Sequence, residues 1–466
     1  MKKLITNKLF LFLTFLFSVI FLFSCGSKKN SETEPTADSL ATEAFKKQMP
    51  EWAKNANIYE VNIRQYTQEG TFKAFQEHLP RLKAMGVDIL WIMPIHPIGM
   101  KNRKGTLGSY YAVQNYKEVN PEFGTLEDFK ALVNKAHELG FKVIIDWVAN
   151  HTSWDNVWIT ANPEWYTQND KGEIIAPVED WADVADLNYD NADMQNAMID
   201  ALKYWVTETG IDGYRCDVAG MVPNEFWVKA RKELDAIKPV FMLAEWGEPQ
   251  IHEAFDMSYG WDMHHIMNEV AQGKASPLAF DTLFTKIAET YPQEAFMMQF
   301  TSNHDENSWN GTEYERMGDA VKAFAVFAAT IPGMPLIYSG QEAGFNKRLD
   351  FFEKDLIVWK DNNLTGVYTK LLTLKKENAA LWHGEAGGSF TKIVTDADNK
   401  VYAFVREKDD KKVVVIINMS KSQVNVNFTT EAAFGKYKSL LDDKEMTLES
   451  GKPLKLKAWE AYVLVK

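Results

Sequence analysis

Four short stretches of the 466-residue chain end an apolar run with side chains able to move protons or attack carbon. They are Asp146-Trp147-Val148-Ala149-Asn150-His151, Arg215-Cys216-Asp217, Ala244-Glu245-Trp246 and Asn303-His304-Asp305. A lone Asp after a strand is commonly a helix cap or a turn residue. Four such ends in one chain call for another reason. Arg215 and Asp217 are two residues apart, so on a strand they face the same way. The guanidinium then favours an ionised Asp217. Glu245 stands among Leu243, Ala244 and Trp246, an apolar wall that favours a protonated carboxyl. One carboxyl held charged beside one held neutral is the pairing that glycosidic-bond cleavage uses.

These residues need a scaffold that gathers strand ends. From about residue 58 a short apolar, often β-branched run alternates with an amphipathic stretch. Strands are expected at 58–63, 87–95, 142–148, 211–219, 240–245, 295–301 and 335–339. Helices are expected at 72–85, 126–139, 194–209, 225–237, 314–330 and 367–381, several of them stopping at a glycine such as Gly86, Gly140 or Gly210. About eight such units imply a (β/α)₈ TIM barrel, in which chemistry sits at the C-terminal ends of the strands. The rival, an open doubly wound sheet, should show a glycine-rich phosphate loop after an early strand, and none is present.

Two departures mark further units. Residues 151–191, after the third strand, hold Trp154, Trp158, Trp165, Tyr166 and Trp181 with few aliphatics, and read as a small inserted domain. Its rings suit a small core or a sugar platform equally. Beyond about residue 384 the helical period gives way to runs that alternate or stay apolar, such as 401–405 and 413–417, which imply a C-terminal antiparallel β-sandwich domain over 381–466. The barrel then occupies 51–150 and 192–380.

The strings resemble the α-amylase family of retaining glycoside hydrolases. Asp146 to Thr152 is similar to that family's first motif, Gly213 to Ala219 to its nucleophile motif, Ala244-Glu245-Trp246 to its acid/base motif and Phe300 to Asp305 to its fourth. Val184-Ala185-Asp186-Leu187-Asn188 and the stretch from Pro332 to Glu342 resemble two more, all in order. The resemblance implies that Asp217 is the nucleophile, Glu245 the acid/base and Asp305 the group that binds sugar hydroxyls and favours a distorted ring. Arg215 would orient and ionise Asp217. His151 and His304 would bind hydroxyls at the cleavage point, Tyr110 would stack on that sugar, and Asp146 would be structural. It further implies a calcium ion held in part by Asn150 and Asp186, whose oxygen ligands suit that metal. The α-configuration of the substrate comes from the resemblance alone.

The chain also departs from the family. Gly220-Met221 stands where a Lys-His pair is usual, and Gly108 lies near the place of a histidine that often precedes the stacking tyrosine. The expected activity is hydrolysis of α-1,4-glucans or maltooligosaccharides. Transglycosylation, isomerisation or α-1,6 cleavage through the same intermediate are alternatives, and a non-catalytic glycan-binding lipoprotein is a remote one. His264 and His265 fall in no motif.

Composition agrees with an exported enzyme of this kind. A net charge of −13 speaks against a nucleic-acid binder and is no obstacle to a neutral polysaccharide, and two cysteines exclude a disulfide scaffold or a cysteine-built zinc site. Lys2, Lys3 and Lys8 precede an apolar run from Leu9 to Phe23. Leu22-Phe23-Ser24-Cys25 resembles a lipobox, so residues 1–24 are expected to be a lipoprotein signal peptide and Cys25 the lipidated residue. Residues 25–50 read as a flexible tether, rich in Ser, Glu, Lys and Thr at its start. The expected location is the bacterial cell envelope, on the outer membrane through the lipid anchor.

Overall fold

A computed structural model describes residues 45–466, which form one compact unit. The expected signal peptide, Cys25 and most of the expected tether lie outside the described residues. The end of the tether does not run free. Gln48 accepts from Arg231 through its carbonyl at 2.8 Å and donates its amide to Asp235 at 3.1 Å, which docks it on the barrel wall. Among the described residues no helix is long and apolar enough to cross a membrane.

Eight parallel strands close the barrel: β1 (Ile58–Val61), β2 (Ile89–Ile92), β3 (Lys142–Trp147), β6 (Gly213–Cys216), β7 (Phe241–Ala244), β8 (Met257–Tyr259), β9 (Phe296–Gln299) and β10 (Met334–Tyr338). Two short strands, β4 (His151–Ser153) and β5 (Val184–Asp186), pair antiparallel in the insertion. The barrel strands are buried on both sides, as parallel strands covered by helices must be. Inward side chains such as Ile58, Trp91, Ile144, Leu243 and Met298 fill the lumen. Outward ones such as Tyr59, Leu90, Val143 and Met242 join the packing against the helices.

The structure departs from the sequence expectation at three places. The stretch 72–85 is two helices, Phe72–Gln76 and Leu79–Met85, because Pro80 starts a new helix more readily than it continues one. The stretch 314–330 is likewise divided, at Gly318, whose backbone turns to φ 57°. The sixth barrel strand, β8, is three residues long, and the helices Trp261–Gln272 and Ala279–Thr290 follow it where no regular pattern stands out.

Gly213 lets β6 approach β7. Its φ is 154°, and a side chain there would meet the Phe241 carbonyl at 1.8 Å, so only glycine fits. That close approach sets Arg215 and Asp217 against the strand that carries Glu245.

The C-terminal region builds a six-stranded antiparallel sheet from β11 (Ser389–Lys392), β12 (Val401–Lys408), β13 (Lys411–Asn418), β15 (Gly435–Ser439), β16 (Glu445–Leu448) and β18 (Ala461–Val465). A two-stranded partner of β14 (Val424–Val426) and β17 (Leu454–Leu456) accompanies it. The strict alternation of β12 is used on both faces. Val401, Ala403 and Val405 enter the domain's own core, while Tyr402 and Phe404 turn to the barrel. There Tyr402 and Phe404 meet Phe327 at 5.7 and 6.2 Å, on the helix Val321–Thr330, which is buried except at Lys322.

Candidate active site

Arg215 is the hub of the barrel mouth. It projects from β6 and is fully buried. Its Nη1 donates to Asp146 at 2.9 Å and to Asp217 at 3.0 Å, its Nε donates to Tyr259 at 3.1 Å, and its Nη2 forms an ion pair with Glu245 at 2.9 Å without hydrogen-bond alignment. Trp91, Tyr111 and Tyr259 surround the guanidinium with ring faces at 5.1–5.8 Å. Both oxygens of Asp146 are engaged, because Arg215, the Trp91 indole at 3.2 Å and the Tyr111 hydroxyl at 3.0 Å all donate to it. It therefore positions its neighbours and has no free oxygen for a substrate.

Asp217 and Glu245 open onto a cavity of about 350 Å³ that Asp305, His151 and Tyr111 also line. Both carboxyls lie above the ordinary range. Burial and then the charge of Glu245 raise Asp217, with Arg215 opposing; burial raises Glu245, against the pull of Arg215. Arg215 thus acts on Asp217 in the direction its spacing implies, but burial beside a second carboxylate outweighs it. The pair holds one proton beyond the pH at which an isolated carboxyl loses it.

Asp305 differs. Burial would raise it, but the charge and hydrogen bond of His304 and the charge of Arg215 hold it low. His304 is raised well above 6.5 by Asp305 and Glu60 despite burial. Its Nε2 lies 3.3 Å from Asp305 and 2.7 Å from the Tyr111 hydroxyl, and its Nδ1 meets Glu60. His151 has no acid partner, and burial pushes it down to about 3, so it is neutral. The mouth therefore offers an ionised carboxylate, a proton-sharing carboxyl pair, a cationic imidazole and a neutral one.

Val218, directly after Asp217, holds φ 36° and ψ 46°, a left-handed conformation that a β-branched residue avoids. This turn aims the Val218 amide at Glu245, which accepts it at 2.9 Å. Gly220 follows, and a side chain there would run into the Trp246 ring at 2.0 Å. Trp246 thus fills the space above the residue where the family's lysine is usual.

Tyr110 is not the stacking tyrosine. It is buried under the Arg64 guanidinium, 4.1 Å from the ring centroid, and away from the cavity. Tyr111 faces the cavity instead and stacks on His304 at 5.5 Å and 20°. The two are adjacent in a turn, where residue spacing does not decide which ring faces in. The tryptophans of the insertion divide in the same way. Trp158 and Trp165 pack together at 5.3 Å, while Trp181 lines the cavity beside His151 at 5.5 Å. Sequence reasoning missed Glu60, an acid inside the apolar run of β1, and the rim aromatics Trp309 and Phe351.

Asn150 and Asp186 share one hairpin, in which the Leu187 amide donates to the Asn150 carbonyl at 3.1 Å. The Asn150 carboxamide is engaged with His151 at 3.2 Å. Among the described residues no cluster of three or more His, Cys, Asp or Glu side chains is able to hold a metal. The His151 contact uses the Asn150 Nδ2 and leaves Oδ1 for a ligand, so Asn150 and Asp186 would supply part of the six to eight oxygens that calcium takes, with backbone carbonyls and waters completing the shell. His264 binds the Phe300 carbonyl and Glu306, away from the cavity.

Comparison with known proteins agrees with this geometry. Residues 37–173 and 165–399 match the family described as Alpha amylase, catalytic domain, and residues 392–463 match Maltogenic Amylase, C-terminal domain. An α-amylase from Lactobacillus plantarum superposes with a TM-score of 0.80 at 33% identity, over 88% of this chain and 99% of that one. A noncanonic maltogenic α-amylase, AmyB, from Thermotoga neapolitana gives 0.81 at 30% identity, over 88% and 98%. The α-amylase MalA of Haloarcula japonica is 26% identical over 425 residues, 86% of this chain, which spans 61% of that longer protein. The chain belongs to the α-amylase family of glycoside hydrolases, which act on α-glucosidic bonds.

Proposed function

We infer that this protein hydrolyses α-1,4-glucosidic bonds of starch-like glucans or maltooligosaccharides, with retention at the anomeric carbon. The single observation that carries the reading is that one guanidinium, Arg215, contacts both Asp217 and Glu245. That compact arrangement supports a retaining pair, whose carboxyls lie about 5–5.5 Å apart, over an inverting pair at about 6.5–9.5 Å with a water between them.

Asp217 attacks C1 while Glu245 gives its proton to the departing glycosidic oxygen, so the C1–O bond breaks as the Asp217–C1 bond forms. Glu245, now ionised, takes a proton from water, whose oxygen displaces Asp217 and restores both carboxyls. Asp305 accepts from sugar hydroxyls, and its ionised state stabilises positive charge on the ring. Neutral His151 and cationic His304 bind hydroxyls beside it. Tyr111 supplies the ring face under the sugar. Transfer to a sugar hydroxyl in place of water uses the same intermediate and differs only in the acceptor. The lipobox-like segment ending at Cys25 supports a location on the bacterial envelope.

Proton NMR of fresh maltoheptaose digests tests the reading. The first product should carry the α-anomer. A β-anomer, or no reducing-sugar release from any α-glucan, would overturn it.

A further inference from the structure

Three loops meet at Lys104, on the wall of the cavity that holds the reacting acids. Lys104 lies between β2 and β3, and its ammonium binds Asp183 of the insertion at 2.9 Å and the Asp180 carbonyl at 2.9 Å. Asp183 is 6% exposed, and Lys104 is its ion-pair partner among the described residues. The adjacent Gly105, at φ 62°, lies so close to Phe352 that a side chain would meet its Cβ at 2.5 Å. The Thr106 amide donates to Glu353 at 2.7 Å, and the Leu107 amide to the Phe352 carbonyl at 3.0 Å. The Lys104 loop is therefore tied to the insertion on one side and to the loop after β10 on the other. Lys104 and Asp183 both line the catalytic cavity.

The position of Glu245 tells which end of the cleft this is. The general acid faces the leaving oxygen, so the departing part of the substrate runs out past Glu245. The retained sugars lie on the other side of Asp217, over Tyr111 and His304. From there ring contacts lead outward: Tyr111 to Phe351 at 6.2 Å and Phe351 to Phe352 at 5.2 Å. Phe352 abuts Gly105, next to Lys104. On the opposite wall His151 leads to Trp181, close in sequence to Asp183. Both walls converge on the Lys104–Asp183 pair.

We propose that this pair closes the glycone end of the cleft and reads the non-reducing terminus of the glucan, so that the protein releases short products of one dominant length from chain ends. The proposal rests on the hydrolytic reading above. An ammonium has three donors. Two are used on Asp183 and Asp180, which leaves one for a terminal sugar hydroxyl, while Asp183 accepts from another. A longer chain would have to displace the sugar-facing donor of Lys104 and pass the bridge to Asp183.

The test is early-time digestion of maltoheptaose labelled at its reducing end, followed by sizing of the unlabelled fragments, for the wild-type chain, Lys104→Met and Asp183→Asn. Lys104→Met keeps an apolar stem of similar reach at a half-exposed position, so it decides the matter if Asp183→Asn does not fold. The wild type should give one dominant unlabelled fragment. In the variants the ratio of that fragment to longer ones should fall by about tenfold, the factor that one lost charge-assisted contact represents. Cleavage into many lengths by the wild type, or an unchanged single fragment from the folded variants, would overturn the end-wall role while leaving hydrolysis intact. No cleavage by the wild type would overturn both.

Discussion

At the barrel mouth Glu60, Asp146, Asp217, Glu245 and Asp305 crowd around Arg215 and His304, whereas at the joint with the C-terminal sheet the fully buried Lys375 and Arg406 meet no carboxylate among the described residues. There Lys375 donates to the Gly333 carbonyl at 3.0 Å and the Leu381 carbonyl at 2.6 Å. Arg406 donates to the carbonyls of Thr330, Ser389, Trp382 and Gly388 at 3.2–3.4 Å, and His383 meets the Ala56 carbonyl at 2.7 Å. Both regions desolvate ionisable groups. At the joint Lys375, Arg406 and His383 bind main-chain oxygens at the strand starts and helix ends; burial, helped by the neighbouring positive charges, drives Lys375 and His383 well down, and burial drives Arg406 to about 10. At the mouth the acids outnumber the bases, and oxygens of Asp217, Glu245 and Asp305 remain turned to the cavity. Burial with saturated partners makes a joint. Burial with charge in excess makes a site that binds a cationic transition state.

The widest separation between the two regions should come from Glu245→Gln. The amide neither donates the proton nor later takes one from water, so kcat should fall by roughly 10²–10⁴-fold. The melting temperature should hold or rise, since a raised carboxyl is removed from beside Asp217 and Asp305. Initial rates on maltoheptaose and a thermal melt check both halves. A rate within the wild-type range would show that the mouth's shifted acids are structural after all.

Lys375→Met is the counterpart at the joint. Two buried carbonyls lose their donor, so stability should fall by about 1–3 kcal/mol, with kcat on maltoheptaose unchanged. The pH dependence carries a sign. Lys375 is depressed in the folded chain, so the unfolded chain binds the extra proton, and this residue makes stability rise with pH from its depressed value up to about 10.4. Urea melts across that window should show a shallower rise in the variant. An identical slope would mean that Lys375 stays charged when buried.

The two regions differed in how much could be read before folding. Asp146, Arg215, Asp217, Glu245 and Asp305 announce themselves because a barrel reports its site through strand ends, and each stands beside an apolar run. Lys375 does not, because a lysine in an amphipathic helix looks like any solvated one until a second domain covers it. β12 could be read as a strand from its unbroken apolar run at 401–405, but not which element covers each of its faces. β8 escaped notice because three residues carry too little period, and its neighbours Trp261 and Met263 suit strand or helix alike. Lys104 and Asp183 lie 79 positions apart in loops, and only the fold pairs them.

Adjacent tyrosines sharpen the contrast within the mouth itself. The Tyr111 hydroxyl donates to Asp146 and meets His304, so Tyr111→Phe leaves two buried charged groups one partner short. Activity should fall by about tenfold. Tyr110→Phe keeps the ring under Arg64 and should stay within about twofold of wild type. Equal losses in the two variants would mean that the Tyr111 hydroxyl is not set apart by its contacts with Asp146 and His304.

The smallest effect should come from the backbone of Val218, where stability and activity should move in opposite directions. A β-branched residue in the left-handed region stores about 1–3 kcal/mol. Val218→Gly releases that strain but gives the unfolded chain more freedom, which takes back about 0.4–1 kcal/mol. The net change should be a small gain in melting temperature. The same freedom loosens the turn that follows Asp217 and aims the Val218 amide at Glu245, so kcat should drop while KM changes less. Strain of this kind persists only where the surroundings enforce it, and here Arg215 below and Glu245 beside it do so. A variant that gains stability and keeps its full rate would separate the left-handed turn from the alignment of the two carboxyls.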